Sequence, residues 1–285
     1  MENCYLCPNA CGVNRTNNAG ICGVNDKIKI AKYYAHPFEE PPISGTKGSG
    51  TVFFSGCSLK CVFCQNFDVS RNKTGKEITV EELANIFMQL ENQGVHNINF
   101  VNPTHYTNKI ISALDIYRPS IPIVWNTHGY ETIQTLEKIN SYVDVYLPDI
   151  KYFSPETSLR YTGKKNYFEK ASKAIEFMAN KPYVLDKDGL LKSGTIVRHL
   201  ILPQNVSDTI KILDWYQSIK DKTALSLMSQ YTPFGEIEKF PELNRKLTQR
   251  EYNKAFNYAL SLGIENMFVQ DDKSSSTKYI PTWDF

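Results

Sequence analysis

Seven cysteines crowd into the first 64 residues of a 285-residue chain, and none follows. Their spacing divides them into four and three. Cys4, Cys7, Cys11 and Cys22 stand as C-x2-C-x3-C-x10-C in "CYLCPNACGVNRTNNAGICG". Pro8, Gly12, Gly20 and Gly23 beside them supply the tight turns that let several thiolates converge. Four sulfurs close a tetrahedral set, which suits structural zinc or an iron–sulfur cluster, and the spacing leaves that choice open. Cys57, Cys61 and Cys64 stand as C-x3-C-x2-C in "FFSGCSLKCVFCQNFDVS". A cuboidal 4Fe-4S cluster held by three cysteines keeps one iron without a protein ligand, and an open coordination position marks a metal that does chemistry. A zinc site completed by a histidine is the plainer alternative for the three, and a loop of small buried thiols for the four.

Chemistry of that kind needs a scaffold to aim it. After Gly50 the chain alternates apolar, β-rich runs with amphipathic helical ones. Runs 51–56, 97–102, 121–126, 143–148, 195–202 and 223–230 read as buried parallel strands, with 266–270 as an added edge strand. Between and after them, 79–93, 108–117, 130–141, 168–179, 206–219 and 248–262 read as helices. Val80, Leu83, Ile86, Phe87 and Leu90 share one face of the first, and Thr79 with Glu82 makes its capping box. Thr248 with Glu251 makes another, and Gly263 supplies the stop of the last helix. Residues 274–276 read as a short mobile loop, and the chain carries no internal repeat. Six βα units in this order predict an open or closed parallel barrel over 50–285, preceded by a cysteine-rich segment and linker over 1–49.

In such barrels the active-site residues come from the carboxyl ends of the strands. The three-cysteine loop follows the first run directly. The second ends in "FVNPTHYT", which brings Asn102, Thr104 and His105, and the third in "WNTHGY", which brings Asn126, Thr127 and His128. The fourth, "YLPDIKY", gives Asp149 and Lys151, two apart and so on one face. The fifth carries Arg198 and His199, adjacent and so pointing to opposite sides. The sixth ends in Ser229, Gln230 and Tyr231. Each has a plainer reading: a hydrogen-bonded structural histidine, an Asp149–Lys151 ion pair, an Arg198 matched to an inner carboxylate. Three of the five histidines gathered at one end of the sheet, with the cysteine loop, favour a polar pocket there.

Composition bounds the rest. A hydrophobic content of 41% and a charged content of 22% fit a soluble globular protein whose core needs no covalent staple. A net charge of +2 gives no broad basic field for nucleic acid, and Lys27, Lys29 and Lys32 read as a solvated edge. No apolar run nears the ~20 residues of a membrane helix. "MENCYLCPNAC" lacks the basic and apolar regions of a signal peptide. An odd, crowded cysteine count argues against a disulfide framework, so the expectation is a cytoplasmic protein that engages neither nucleic acid nor membrane.

The motif "GCSLKCVFCQN" resembles the signature of radical S-adenosylmethionine (radical SAM) enzymes. The resemblance implies an α/β fold, a partial (β/α)6 barrel of the TIM type, with the N-terminal cysteine-rich, metal-binding stretch as an extension. It implies a 4Fe-4S cluster on Cys57, Cys61 and Cys64 whose open iron takes the amino and carboxylate groups of S-adenosylmethionine (SAM). An electron from a flavodoxin- or ferredoxin-type donor would then cleave the carbon–sulfur bond, giving methionine and a 5′-deoxyadenosyl radical that removes a hydrogen atom from the substrate. Phe63 holds the family's aromatic position near the adenine. "NTHGY", "DIK" and "IVRHLILPQNVSD" are similar to strand-end motifs of pyruvate formate-lyase activating enzymes. The stretches "CYLCPNACG", "GICG" and "HPFEEPPISGTKGSGTVFFSGC" look closest to a poorly characterised branch related to them.

By this likeness the cofactor pocket draws on Phe63, Asn102, Thr104, Asn126, Asp149, Lys151 and Arg198. The substrate meets His128, His199, Gln230 or Tyr231, and is either a partner enzyme that receives a glycyl radical or a small molecule or peptide. One departure stands out. The family often binds the methionine amino group with Gly-Gly-Glu, whereas this chain reads "VNPTHY", leaving Asn102 or backbone carbonyls to accept those hydrogen bonds. A second reading is therefore a non-catalytic iron–sulfur or electron-transfer module that has lost SAM chemistry. Zinc hydrolysis is a third, although the chain has no helical histidine pair with a glutamate base.

Overall fold

A computed structural model describes residues 3–71 and 73–269. Among these the strands are β1 (Ile28–His36), β2 (Ser49–Phe54), β3 (Lys76–Ile78), β4 (Ile98–Val101), β5 (Ile123–Thr127), β6 (Val145–Pro148), β7 (Val184–Leu185), β8 (Leu191–Leu200), β9 (Ala224–Met228) and β10 (Met267–Val269). The α-helices are α1 (Pro41–Ser44), α2 (Phe67–Ser70), α3 (Val80–Asn92), α4 (Thr107–Ile116), α5 (Ile133–Ile139), α6 (Pro155–Thr162), α7 (Tyr167–Met178), α8 (Val206–Tyr216) and α9 (Gln249–Ser261). The sheet runs β10-β9-β8-β6-β5-β4-β2-β1-β3, with β7 paired to β8 off this path. Every neighbouring pair from β2 to β10 is parallel, as helical crossovers require. Strands β1 and β3 extend the β2 edge antiparallel. The result is a mixed α/β fold with an open, barrel-like central sheet.

The sequence signals that specify the helices are in place. Both capping boxes form, Thr79 with Glu82 and Thr248 with Glu251. The run read as an edge strand pairs parallel with β9 over 267–269, while Gln270 and the 274–276 loop lie outside the described residues. Six elements have no counterpart in the pattern of the sequence: β1, α1, α2, β3, α6 and β7. Strand β1 lies within the segment read as extension and linker, and α6 is an eight-residue helix with a Ser154 N-cap, Pro155 at its first turn and left-handed Gly163 at its end. Among the described residues no helix is long and apolar enough to cross a membrane.

Strand alternation divides the core. Phe54, Phe100 and Trp125 face outward, with Phe87 of α3 and Ile110 of α4 in the same apolar cluster. Val124, Leu147, Ile196 and Ala224 face inward, and Ile43 of α1 packs among them to plug the barrel floor. Full burial of that one isoleucine is worth about 2 kcal/mol. The Asn97 side chain donates to the Ile43 carbonyl (2.7 Å), tying the plug to β4. Two residues beyond the inward apolar layer, the same strands present Asn126, Asp149 and Arg198. A polar layer therefore sits directly above the apolar one.

Candidate active site

The polar layer is knit by charge. Arg198 Nε donates to Asp149 Oδ1 (3.0 Å) and Lys151 Nζ to Asp149 Oδ2 (2.7 Å). Burial works against the Asp149 carboxylate, but Arg198 and Lys151 outweigh it and hold the group below its ordinary range. Burial likewise opposes the Lys151 charge, and Asp149 with the Cys61 sulfur more than offsets it, so the ammonium is kept. Gly129 makes the layer compact: its φ is +76°, and a Cβ there would stand 2.3 Å from the Asp149 carbonyl oxygen. Only glycine lets the ends of β5 and β6 approach so closely.

Above this layer lies a cavity of about 290 Å³, bordered by Cys57, Cys61 and Cys64 on one side and by Asp149, Lys151 and Arg198 on another. The cysteine loop is pinned on all sides. Cys57 N–H donates to the Cys22 carbonyl (3.1 Å), Val62 N–H to the Tyr161 carbonyl (3.0 Å) and Asn9 Nδ2 to the Ser58 carbonyl (2.9 Å). Hydroxyls reach two of the sulfurs, Ser70 to Cys64 (3.3 Å) and Tyr152 to Cys61 (3.5 Å). Burial, with the neighbouring thiols, pushes Cys57 up to about 12; burial also takes Cys61 to about 11. Thiols held that high ionise only against a strong positive partner such as iron, with release of their protons.

The residues singled out from sequence separate into two groups. Phe63, Asn102, Asn126, Asp149, Lys151, Arg198, His128 and Gln230 all line the cavity. Asn102 would face outward by alternation. Its backbone, at φ +56°, breaks the strand and turns the side chain in, a conformation asparagine tolerates. His128 Nδ1 accepts from Tyr130 N–H (3.1 Å), so Nε2 carries the proton and donates to Ser58 Oγ (2.8 Å); burial and Lys151 hold the ring neutral, down to about 4. The other three stand apart from the cavity. Thr104 donates to Glu131 Oε1 (2.6 Å). His199 is buried on the outer face between the Ile150 carbonyl and Thr209, which use both ring nitrogens. Tyr231 packs edge-on against Phe63 at 5.7 Å and donates to the Leu243 carbonyl.

Glu39 is a charged cavity residue that the strand ends do not reveal. It enters from the loop between β1 and α1, largely buried, and pairs with Arg198 Nη1 at 3.2 Å. The apolar alternation of "IKI" is a signal that could have placed β1 in the sheet, but it does not carry Glu39 to the cavity. The hydroxyls that donate to sulfur, on Ser70 in the short helix α2 and on Tyr152 in the loop after β6, are not marked by any sequence pattern either.

The cavity suits a cluster and SAM together. Three thiols border it at one side, and Asn102 Oδ1 is buried with no hydrogen-bond partner, an acceptor left over for an ammonium group. Among the described residues no three or more His, Cys, Asp or Glu side chains are grouped closely enough to hold a single metal ion, the four N-terminal cysteines and the trio Cys57, Cys61 and Cys64 alike; a cuboidal cluster takes each thiolate on a different iron.

Comparison with known proteins agrees with this geometry. The model of the Radical SAM superfamily matches residues 51–215. An uncharacterized protein of Methanocaldococcus jannaschii, MJ0674, is 31% identical over 278 residues, 94% of this chain and 77% of that one. The pyruvate formate-lyase-activating enzyme of Clostridium pasteurianum is 26% identical over 203 residues, 68% of this chain and 79% of the relative. In fold, the chain is similar to Streptococcus suis SuiB in its SAM-bound crystal structure, with a TM-score of 0.51 and 15% identity over 75% of this chain; it spans 47% of SuiB's length. The chain belongs to the radical SAM superfamily and is an enzyme of that class.

Proposed function

We propose that the chain binds a 4Fe-4S cluster on Cys57, Cys61 and Cys64, takes SAM in the adjoining cavity and directs the resulting radical at a substrate. The carrying observation is that three thiols, a buried ion-pair layer and an unpartnered acceptor border one cavity. Cluster and SAM, when bound, supply reductive cleavage of the carbon–sulfur bond and the 5′-deoxyadenosyl radical that takes a hydrogen atom. The protein's residues bind and orient. Lys151 and Arg198 offer cationic donors to a carboxylate, Asn102 Oδ1 offers an acceptor to an ammonium group, and Phe63 offers a ring to a purine. His128, neutral and donating to Ser58, holds the cysteine loop against the barrel. Tyr152 and Ser70 donate to cluster sulfurs, and the buried aromatics around Phe63 keep water out.

The substrate we favour is a partner protein that receives a glycyl radical; support comes from the likeness to pyruvate formate-lyase-activating enzymes of several bacteria. Residues 1–49 act in this reading as a cysteine-rich extension holding a second metal, zinc or iron–sulfur. Their thiols are near neighbours, Cys11 hydrogen-bonded to Cys4 and both bearing on Cys22 by charge. Anaerobic reconstitution with iron, sulfide, reductant and SAM should give 5′-deoxyadenosine. A fully loaded cluster that yields none would sink the reading. A glycyl-radical doublet on an added partner chain, seen by electron paramagnetic resonance, would select the protein substrate over a small molecule.

A further inference from the structure

Glu39 reaches the cavity from below, carried on the plug that seals the barrel floor. Its backbone N–H donates to Ser44 Oγ (2.9 Å), which fixes it to α1. Its Oε1 accepts from Asn99 Nδ2 (3.0 Å) and Asn126 Nδ2 (3.2 Å), and its Oε2 from Arg198 Nη1 (3.2 Å). Arg198 Nη2 in turn donates to Asn126 Oδ1 (2.5 Å). The three side chains thus close a ring, Glu39 to Asn126 to Arg198 and back. A ring of this kind settles which way the Asn126 amide faces, since its nitrogen must meet Glu39 and its oxygen Arg198. Glu39, Asn126 and Arg198 all border the cavity.

We propose that Glu39 is a positioning residue for the cofactor, holding Arg198 and Asn126 in the orientation they present to SAM. The inference rests on the cofactor reading above. The chemistry of the ring asks for a carboxylate. All three of its partners donate, and only an acceptor-only group answers three donors at once. With Glu39 gone, Arg198 Nη1 loses its hydrogen bond, and the charge is left to Asp149, which already serves Lys151, and to the neighbouring Glu40 carboxylate. Glutamine is nearly isosteric but turns an N–H2 toward either Arg198 or the two asparagine amides, so one contact becomes donor against donor.

The test compares parent, Glu39→Gln, Arg198→Lys and the double variant as anaerobically reconstituted proteins. SAM affinity is read by calorimetry, and the reduced cluster by electron paramagnetic resonance with and without SAM. Glu39→Gln should keep its fold and iron content yet bind SAM roughly tenfold more weakly, the scale of one charge-assisted hydrogen bond. The SAM-induced change in the cluster spectrum should shrink with it. In the Arg198→Lys background the same substitution should cost under about twofold more, because both act through one ring. Parent-like SAM affinity in Glu39→Gln, or an additive loss in the double variant, would overturn the proposal while leaving the cofactor reading intact. A parent that binds no SAM would overturn both. If Glu39→Gln loses its fold, Glu39→Asp decides: restored folding with weakened SAM binding supports positioning, and loss of fold in both assigns Glu39 to stability alone and overturns it.

Discussion

The two cysteine sets lie against each other and are surrounded in opposite ways. Around Cys57, Cys61 and Cys64 the partners come from elsewhere in the fold: Ser70 of α2, Tyr152 beyond β6 and the charge of Lys151. Around Cys4, Cys7, Cys11 and Cys22 the hydrogen-bond partners come from the same short segment, with Glu131 of the barrel bearing on Cys7 by charge alone. Asn9 Nδ2 meets Cys7 at 3.6 Å, the Cys22 thiol meets the Val24 carbonyl at 3.7 Å, and Cys11 meets Cys4. Between the sets run two ties, Cys57 N–H to the Cys22 carbonyl and Asn9 to the Ser58 carbonyl. Gly56 permits the first tie, since a Cβ there would stand 2.9 Å from the Cys22 oxygen. On the proposed function, the difference predicts a barrel that tunes the first set and an N-terminal segment that braces it.

The sharpest way to break this contrast is to replace one sulfur in each set. Cys61→Ser should drop SAM cleavage to background with the fold retained, because serine is nearly isosteric with cysteine at this buried position. Cys7→Ser should do the reverse, lowering stability by on the order of 2–4 kcal/mol if a metal closes the segment, while the folded fraction still cleaves SAM. Thermal melts, metal content and 5′-deoxyadenosine yield separate the outcomes. Equal loss of cleavage in both, at equal stability, would make the brace part of the chemistry.

A carboxyl at the seam between the two regions gives the next largest effect. Glu131 is buried among Thr104, Thr127 and Trp125, it bears on Cys7, and its Oε2 has no partner. Burial pushes it up to about 7, from an ordinary 4.5. The folded chain therefore holds a proton that the unfolded chain releases between those values, so stability falls as pH rises from about 4.5 to about 7. Glu131→Gln removes the term. It should match the parent near pH 4 and exceed it at pH 8 by on the order of 3 kcal/mol. Urea titrations at the two pH values check it, and a gap that is largest at pH 4 would contradict the sign.

Where the pattern was legible, it was because one physical rule acted alone. Period-2 alternation predicted that Arg198 and His199 face opposite ways, and they do, one into the cavity and one against Thr209. The capping boxes of α3 and α9 and the parallel strands followed from local signals of the same kind. Thr104 and Tyr231 escaped because the chain leaves strand geometry just before them, at the turned backbone of Asn102 and after β9, where alternation no longer says which way a side chain points. Glu39 escaped for a different reason. Its neighbours Asn99, Asn126 and Arg198 lie 60 to 159 residues away, and such contacts depend on the plug's position under the barrel, which no local spacing encodes.

The smallest expected effect is also the finest probe of the contrast. Tyr152 is fully buried, its ring packed against Phe63, Tyr161 and Tyr167, and its hydroxyl donates to Cys61 Sγ. Tyr152→Phe keeps the ring and removes only that donor. A hydrogen bond to a cluster sulfur favours the reduced, more negative state, so its loss should move the cluster potential downward by on the order of tens of millivolts. Asn9→Ala is the matching change on the brace: it frees the Ser58 carbonyl and should cost up to about 1 kcal/mol of stability. It leaves every donor to the cluster sulfurs in place, so the potential should hold. Redox titration of the two variants beside the parent decides, because a barrel that tunes and a segment that braces must respond to these changes in different observables.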